Sequence, residues 1–213
     1  MEINTKIALL GATGKAGKYL LNQLLEKGYR VKALIRNPGS YTISHPLLEI
    51  ISGDIKDFDA AQLLLADCNA VISTIGQVKG ETLIASLATA NILQAMNKLN
   101  IKRYLLLTGL NIDIPGDQKS LHNQAGSAWM KKTFPVEVAD KQKVYDVLAC
   151  SSEIDWTLFR LPWIEQTDER RGVKVNLQDC LGEKISTTDL ADFLISQLTD
   201  KEYIKKAPFV ASL

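Results

Sequence analysis

The sequence predicts an α/β protein built on a Rossmann-type, doubly wound parallel sheet. Two observations lead to this prediction. Apolar segments with strand character alternate six times with segments of helical periodicity, and the first strand runs directly into a glycine-rich turn, GATGKAG. Alternating strands and helices form a parallel sheet that is covered on both faces and wound by right-handed crossovers. In such a sheet, ligands bind at the carboxyl ends of the strands.

The first two predicted strands enclose a helix. The run KIALL at 6–10 is continuously apolar, as expected for a strand that is buried on both faces of a parallel sheet. Between Lys15 and Lys27, apolar residues recur at spacings of three and four, and Gly28 follows as a helix C-cap would. RVKALIR at 30–36 then predicts a second strand, which ends at the breakers in NPGS.

Two further pairs of strand and helix follow. LLEIISGD at 47–54 predicts a third strand, and the apolar spacing over 58–65 predicts a short helix. NAVISTIG at 69–76 predicts a fourth strand, and a long helical pattern extends from about Glu81 to Leu99. Both strands therefore continue the alternation that the first unit begins.

The rest of the chain predicts two more strands and two helices around one irregular segment. The strands are KRYLLLTG at 102–109 and IDWTLFRLP at 154–162, which stops at its proline. Helices are predicted over 138–149 and over 186–198, where Ser and Thr stand at the N-cap position. Residues 110–136 lack clean periodicity and are expected to form a long loop, of the kind that tends to be functional.

Composition limits the functional classes. A chain of 213 residues suggests one domain over residues 1–213, with a small C-terminal extension on the substrate side. The 25 basic and 24 acidic residues nearly cancel, so nucleic-acid binding is not expected. No targeting segment or membrane span is apparent, which favours a cytoplasmic protein that acts on a small molecule without a membrane partner. The three cysteines lack metal-ligand spacing, so no metal is expected. For the oligomeric state, both a monomer and a homodimer are left open.

The glycine-rich turn predicts a site for a dinucleotide. Its glycines do not follow the G-x-G-x-x-G spacing, but the same physics applies: a tight turn, a backbone close to the pyrophosphate, and a helix packed closely on its strand. The first turn of the helix offers N–H groups and partial positive charge to the anion. We therefore expect the cofactor to contact the whole turn, which consists of Gly11, Ala12, Thr13, Gly14, Lys15, Ala16 and Gly17.

The end of the second strand indicates which dinucleotide binds. NAD sites usually carry an acidic side chain there, which accepts hydrogen bonds from the ribose 2′-hydroxyl. Here the strand ends in Ile35–Arg36–Asn37, without a carboxylate. An arginine guanidinium forms paired, charge-assisted hydrogen bonds with a 2′-phosphate. Arg36 therefore favours NADP over NAD, and the alternative is a solvated surface arginine.

The chain resembles the atypical branch of the short-chain dehydrogenase/reductase superfamily, with its NmrA-like proteins and flavin/biliverdin reductases. The resemblance extends over nearly the whole chain and rests on six segments in order: GATGKAG, IRNP, SGDIKD, VISTIG, LLLTG and DWTLFRLPW. It implies that Asp54 and Ile55 flank the adenine, although Asp54 alone also fits a helix cap. It places Ser73, Thr74, Ile75 and Gly76 beside the ribose and pyrophosphate. The residues it brings to the nicotinamide are Thr108, Gly109, Leu110, Pro162, Trp163 and Ile164.

The catalytic pattern of the superfamily is incomplete in this chain. Typical members carry a tyrosine four residues before a lysine, whose charge lowers the pKa of the phenol. None of the six tyrosines has a lysine at that position, and Lys141 and Tyr145 have the spacing in reverse. By the resemblance, Lys141 aligns with the helix lysine of atypical members, which bonds the nicotinamide ribose or donates a proton. The alternatives are alignment of Lys143 instead, or a solvated lysine.

The hydroxyl at the end of the fifth strand also differs from the superfamily pattern. The resemblance places Ser or Thr next to Thr108, where this chain has Gly109. Thr108 itself is a candidate catalytic hydroxyl, unless its side chain points into the sheet. Candidate walls of the substrate site are Trp129, Phe134 and Trp163, and the alternative is that these aromatic residues pack on the core.

Three functional hypotheses follow from these patterns. The first is an NADP(H)-dependent oxidoreductase that transfers a hydride to a small or planar acceptor, flavin-, quinone- or carbonyl-like, because the cofactor positions are complete. The second is a non-catalytic, NmrA-like redox sensor or regulator that binds NADP, because the usual serine and tyrosine are missing. An epimerase or dehydratase for nucleotide-linked sugars ranks last, because only about fifty residues follow the sixth strand.

Overall fold

The computed structural model describes residues 5–41, 43–77, 80 and 82–213, and strands alternate with helices along them. The elements of the first half are β1 (Lys6–Leu10), α1 (Lys15–Glu26), β2 (Arg30–Ile35), β3 (Leu48–Ser52), α2 (Phe58–Leu65), β4 (Ala70–Ser73), α3 (Ala85–Leu99) and β5 (Arg103–Gly109). Those of the second half are α4 (Leu121–Thr133), α5 (Pro135–Ala149), β6 (Asp155–Leu161), β7 (Trp163–Glu165), β8 (Val173–Asn176), β9 (Lys184–Ser186), α6 (Thr187–Ser196) and β10 (Phe209–Ser212).

Within the described ranges, eight strands form one sheet in the order β3-β2-β1-β4-β5-β6-β10-β8. All neighbours are parallel except the edge pair β10–β8, and β7 and β9 form a separate parallel pair. Because β1 lies between β2 and β4, the winding direction reverses between β1 and β4. A reversal of this kind opens a crevice at the carboxyl ends of the strands. The predicted doubly wound, mostly parallel Rossmann-type fold is confirmed.

Helices cover both faces of the sheet. One face packs against α2, α3 and α5 through residues such as Leu64, Met96 and Leu148. The other packs against α1 and α6, for example through Leu24 and Leu194. Every residue of β1 is buried, as expected for a strand covered on both sides, and this burial accounts for its continuously apolar sequence.

The segment 110–136, which was expected to be irregular, contains the helix α4. The expectation is wrong because α4 lies at the surface and the residues that it buries are polar, Asn123 and Ser127. A helix of this kind leaves no apolar periodicity in the sequence. Its start is marked by Ser120, whose side chain accepts a hydrogen bond from the backbone N–H of Asn123.

Other differences concern boundaries and short strands. The described part of α3 begins at Ala85, and Glu81, where the helix was expected to start, lies outside the described residues. α5 begins at Pro135, three residues earlier than expected, because proline fits the first turn of a helix. The strands β7 to β10 escaped prediction because each has only three or four residues, too few to show a period.

None of the described helices combines the length and the apolar character that crossing a membrane would require.

Candidate functional site

A cleft of about 300 Å³ opens at the carboxyl edge of the sheet, beside the reversal between β1 and β4. Its walls come from the glycine-rich turn and from the segments that follow β2, β3 and β4. The predicted cofactor residues that line it are Gly11, Thr13, Gly14, Arg36, Asp54, Ile55, Thr74, Ile75 and Gly76. The fold therefore gathers four separate sequence segments around one cavity.

Six other residues line the cleft without having been identified from the sequence: Leu10, Leu34, Ile35, Asn37, Gly53 and Ile84. Asn37 and Gly53 adjoin Arg36 and Asp54, so their place at strand ends was a usable signal. The aliphatic residues belong to the hydrophobic core as well as to the cleft wall. No sequence pattern separates those two roles.

Gly11 and Gly17 allow the turn to close against β4. Gly11 has a φ of 79°, in the left-handed region that favours glycine, and a Cβ there would lie 2.7 Å from the Thr74 hydroxyl oxygen. At Gly17, a Cβ would overlap the carbonyl oxygen of Gly11, so α1 packs directly on the turn. Thr74 stabilises this arrangement, because its Oγ1 donates towards the carbonyls of Leu10 (3.0 Å) and Gly11 (3.2 Å).

Gly14 faces the ligand space. A Cβ at this position would meet only the Gly11 carbonyl oxygen, at 3.2 Å, and its backbone is extended with φ −77° and ψ 176°. The first helical hydrogen bond of α1 runs from the N–H of Lys18 to the carbonyl of Gly14, so the amides of residues 15–17 have no intrahelical acceptor. No acidic residue lies in this first turn. The site thus suits the pyrophosphate of a dinucleotide.

Ala12, Lys15 and Ala16 do not line the cleft. The side chains of Ala12 and Ala16 are buried in the core on the α1 face, so only their backbone groups face the turn. Lys15 is exposed, and its Nζ lies 5.3 Å from the centre of the Trp163 ring, a cation–π distance. This contact brings the segment after β6 next to the glycine-rich turn.

Arg36 stands exposed at the mouth of the cleft, directly after β2, and Asn37 lines the wall beside it. Neither residue carries a negative charge that would repel a phosphate. The position is the one at which a ribose 2′-substituent meets the protein in Rossmann-type folds. The local chemistry therefore fits NADP, with the Arg36 guanidinium as the group that would hold the 2′-phosphate.

Asp54 does not cap the helix that follows it. The N-cap of α2 is Asp57, whose carboxylate accepts a hydrogen bond from the N–H of Asp59 (2.9 Å). The Asp54 carboxylate instead accepts from the N–H of Lys56 (3.0 Å), within the turn that lines the cleft. Its partner Ile55 is buried and contributes to the same wall. The capping alternative for Asp54 is thereby ruled out.

Ser73 is separated from the cleft. It is the last residue of β4, is buried, and does not belong to the cleft wall. Its hydroxyl hydrogen-bonds with the phenol of Tyr104, whose pKa is raised by complete burial. Thr74, the next residue, takes the position at the edge. Ser73 therefore supports the sheet and lies behind the ligand space.

The end of β5 lies beyond the cleft, next along the same edge. Thr108 Oγ1 is buried, and no described residue offers it a hydrogen-bond partner. A Cβ at Gly109 would overlap Oδ1 of Asn111, so the asparagine fills the space where a serine side chain would begin. The N–H of Leu110 donates to the carbonyl of Leu161 (3.0 Å), which holds this segment beside the end of β6. Asn111 was not among the residues identified from the sequence.

The structure distinguishes Lys141 from Lys143. Lys141 is half-buried on α5, and burial lowers the pKa of its ammonium group although Glu137 and Asp140 act in the opposite direction. Lys143 is exposed. A lysine with a lowered pKa releases a proton more readily, as a proton donor does, and Lys141 does not line the cleft described above.

Asp140, the residue before Lys141, joins α5 to α3. Its buried carboxylate accepts hydrogen bonds from the backbone N–H groups of Ala85 (2.9 Å) and Ser86 (3.4 Å), and Ser86 Oγ also donates to it. These bonds cap the first turn of α3 and tie it to α5. Because Ile84, directly before α3, lines the cleft, this contact connects the cleft wall to the helix that carries Lys141.

The aromatic candidates for a substrate wall are solvent-accessible. Trp163 is 68% exposed, and Trp129 and Phe134 are 58% and 40% exposed. The rings of Trp129 and Phe134 meet edge to face with their centres 6.0 Å apart, where α4 turns into α5. Packing on the core is therefore excluded for these three side chains. Pro162 and Ile164 are partly buried, and Ile164 packs on the α1 side of the core.

Comparison with known proteins assigns most of the chain to one family. Residues 11–201 match the model of a family described as NAD(P)H-binding. An uncharacterized chloroplastic protein of Arabidopsis thaliana is 27% identical over 118 residues, which make up 51% of this chain and 42% of that protein. The chain thus spans less than half the length of this relative.

Two solved structures share the fold over nearly their whole length. A short-chain dehydrogenase/reductase from Veillonella parvula DSM 2008, in complex with NADP, matches with a TM-score of 0.81 at 17% identity and covers 98% of this chain and 94% of its own. ChuY from Escherichia coli O157:H7, described as an anaerobillin reductase, matches with a TM-score of 0.81 at 20% identity, over 98% and 97% of the two chains. At these identities the likeness concerns the fold.

Proposed function

Since this chain belongs to the NAD(P)H-binding family, in the atypical branch of the short-chain dehydrogenases/reductases, we propose that it is an NADPH-dependent reductase for a small, planar acceptor. The observation that carries the proposal is the joint position of the glycine-rich turn and Arg36 in one cleft. The turn suits the pyrophosphate, and the guanidinium suits the 2′-phosphate that distinguishes NADP from NAD.

The order of strands gives the cofactor a direction along the sheet edge. Arg36 and Asp54 follow β2 and β3, the glycine-rich turn follows β1, and Thr108 lies near the end of β5 on the other side of β4. A dinucleotide with its adenosine at Arg36 and its pyrophosphate at the turn then extends towards β5. Bound NADPH would supply a hydride from its nicotinamide ring at that end.

Residues of the chain would complete the reaction there. Lys141, with its lowered pKa, would donate the proton that balances the added hydride, and the neighbouring Asp140 anchors α5 to α3. Trp129 and Phe134 offer an exposed aromatic pair against which a flat acceptor can pack. These features favour a planar flavin-, quinone- or carbonyl-like molecule.

The test is consumption of NADPH by the purified protein with three acceptor classes: a flavin, a naphthoquinone and an aromatic aldehyde. We expect at least one class to be reduced, with kcat/KM about tenfold or more lower for NADH, because NADH lacks the charge-assisted hydrogen bonds of the 2′-phosphate. The proposal would be refuted if the protein bound NADPH tightly but oxidised it with none of the three acceptor classes.

The same absence of turnover would support the second candidate, an NADP-binding sensor. The observation that favours it lies at β5, where Asn111 fills the space of the missing serine. Tyr145 stands in reverse spacing to Lys141, and its ring packs edge to face on Trp156 with the ring centres 6.3 Å apart. A sensor should bind NADP⁺ and NADPH with unequal affinity and consume neither.

A further inference from the structure

The loop after β5 carries a buried amide that the cofactor cleft does not explain. Asn111 is 4% exposed, and no described residue accepts a hydrogen bond from its buried Nδ2. A buried donor without an acceptor is destabilising, and in native proteins such groups are rare enough to need an explanation. A ligand atom that accepts this hydrogen bond would provide one.

The loop is fastened to the helix that carries Lys141. Asp113, two residues after Asn111, exchanges two hydrogen bonds with the side-chain amide of Gln142 on α5: its N–H donates to Oε1 (2.9 Å), and its carbonyl accepts from Nε2 (2.8 Å). Gln142 directly follows Lys141. Asn111 is therefore held at the carboxyl edge of the sheet, between the end of β6 and the segment of α5 with the candidate proton donor.

Gly109 lies directly against the side-chain amide of Asn111. Any side chain at position 109 would collide with Oδ1 of Asn111, so the glycine leaves the room that Asn111 occupies. One residue earlier, Thr108 Oγ1 is also buried without a partner in the described ranges. Two unpaired polar groups thus lie within four residues at the strand end to which the proposed cofactor direction leads.

Resting on the proposed reductase function, we propose that Asn111 Nδ2 donates a hydrogen bond to an oxygen atom of the acceptor, which makes the acceptor a carbonyl or quinone compound. In the reduction, the hydride adds to the acceptor and an electron pair moves onto this oxygen, while NADPH is oxidised to NADP⁺. The N–H of Asn111 stabilises the negative charge that develops there. A proton from Lys141 then gives the hydroxyl, so that two electrons and two hydrogens are accounted for.

The first test removes the donor. Asn111→Leu keeps the branching of the side chain at Cγ and replaces both amide atoms by methyl groups, and its thermal unfolding is compared with that of the wild type; Asn97→Leu, at an exposed position on α3, is the matched control. With the naphthoquinone, we expect Asn111→Leu to lower kcat/KM by about 100-fold, as for other oxyanion donors, and to leave NADPH affinity unchanged. The control should retain both values.

A second readout is independent of turnover. Calorimetric titration of the NADP⁺-loaded protein with the naphthoquinone menadione measures binding without hydride transfer. We expect Asn111→Leu to weaken this binding about fivefold, as the loss of one neutral hydrogen bond predicts. The double variant Gly109→Ser/Asn111→Ala removes the colliding Oδ1 and adds a hydroxyl, and it should regain part of the lost activity.

The outcomes separate the two claims. If the wild-type protein consumes NADPH and Asn111→Leu retains both kcat/KM and menadione affinity, the role of Asn111 is refuted while the reductase function stands. If the wild type binds NADPH and reduces nothing, the reductase function fails, and the role of Asn111 fails with it.

Discussion

Among single residues, Arg36 is the one that we propose to select NADPH over NADH. It stands at the mouth of the cleft directly after β2. Arg36→Ala should weaken NADPH binding about 10- to 100-fold and leave NADH binding unchanged, because only NADPH has a phosphate for the guanidinium to bond. Arg30→Ala, at the exposed opposite end of the same strand, is the control, and titration calorimetry measures all four affinities. Equal losses for both nucleotides would argue against the 2′-phosphate role.

The glycines of the turn divide into a ligand position and a packing position. Gly14→Val should leave the fold intact and abolish binding of NADPH and NADH, because the new side chain meets little protein and enters the ligand space. Gly17→Ala should instead lower the free energy of unfolding, since its Cβ overlaps the Gly11 carbonyl oxygen. Thermal unfolding with nucleotide titration separates the two effects. A folded Gly14→Val variant that still binds NADPH would remove the turn from the site.

The burial of Lys141 predicts how kcat depends on pH. Burial lowers its pKa from the ordinary 10.5, so the protonated donor form, and with it kcat, should be lost as pH rises through that lowered value. Lys141→Met should reduce kcat about 100-fold and remove this alkaline decline, whereas exposed Lys143→Met should change neither. A Lys141→Met variant with the wild-type pH profile would show that the proton comes from another source.

At the scale of elements, the loop between β5 and α4 is held by a buried ion pair. Arg160 on β6 is fully buried, and its guanidinium donates to both carboxylate oxygens of Asp117, each at 2.7 Å. The same side chain donates to the carbonyls of Ala207 (2.8 Å) and Leu177 (3.1 Å) and lies 3.5 Å from the centre of the Phe209 ring. This arrangement joins the loop before α4 to the C-terminal extension.

The ion pair can be tested with two aspartates of the same loop. Asp117→Asn should lower the free energy of unfolding by about 3–5 kcal/mol, because it leaves the buried Arg160 charge uncompensated. Asp113→Asn removes an exposed pair with Lys131 and a half-exposed pair with the buried Lys119, which keeps the Ile112 carbonyl and Asp117 as partners, and it should therefore cost less than Asp117→Asn. Denaturant unfolding measures both changes. If both variants lowered the free energy of unfolding by similar amounts, the buried pair would contribute no more to stability than the pairs of Asp113.

Elements that bury apolar residues were predictable from the sequence, whereas the helix that buries polar residues was not. The segment from β1 to β2 was predictable because the residues that it buries are apolar and its turn contains glycines. Both features are visible in the sequence, as a run of apolar residues and as a glycine-rich motif. α4 left none, because it buries Asn123 and Ser127, and Asn123 is held by polar bonds to Asp179 and the Cys180 carbonyl. Those partners lie more than fifty positions away, beyond the reach of local periodicity.

At the scale of the whole molecule, topology explains which site residues were predictable. Residues at the ends of β1 to β4 could be placed in one cleft because parallel strands end at one edge. Ser73 could not be separated from Thr74, because neighbouring residues at a strand end point to opposite faces and the phase becomes visible only in the fold. The position of the Asn111 side chain could not be predicted for another reason. It occupies space that is free only because residue 109 is a glycine, and this contact becomes visible only in the structure.

We propose above all that the cleft holds NADPH as a hydride donor, with its nicotinamide in a fixed orientation at the end of β5. The most direct measurement uses two samples of NADPH, deuterated at one or the other C4 position, with the acceptor that supports turnover, followed by mass spectrometry of the NADP⁺ formed. We expect the NADP⁺ formed to lose the deuterium from one sample and to retain it from the other, because a nicotinamide held in one orientation presents a single face to the acceptor. Bound NADPH that yields no NADP⁺, or NADP⁺ that retains a mixture of label from both samples, would contradict it.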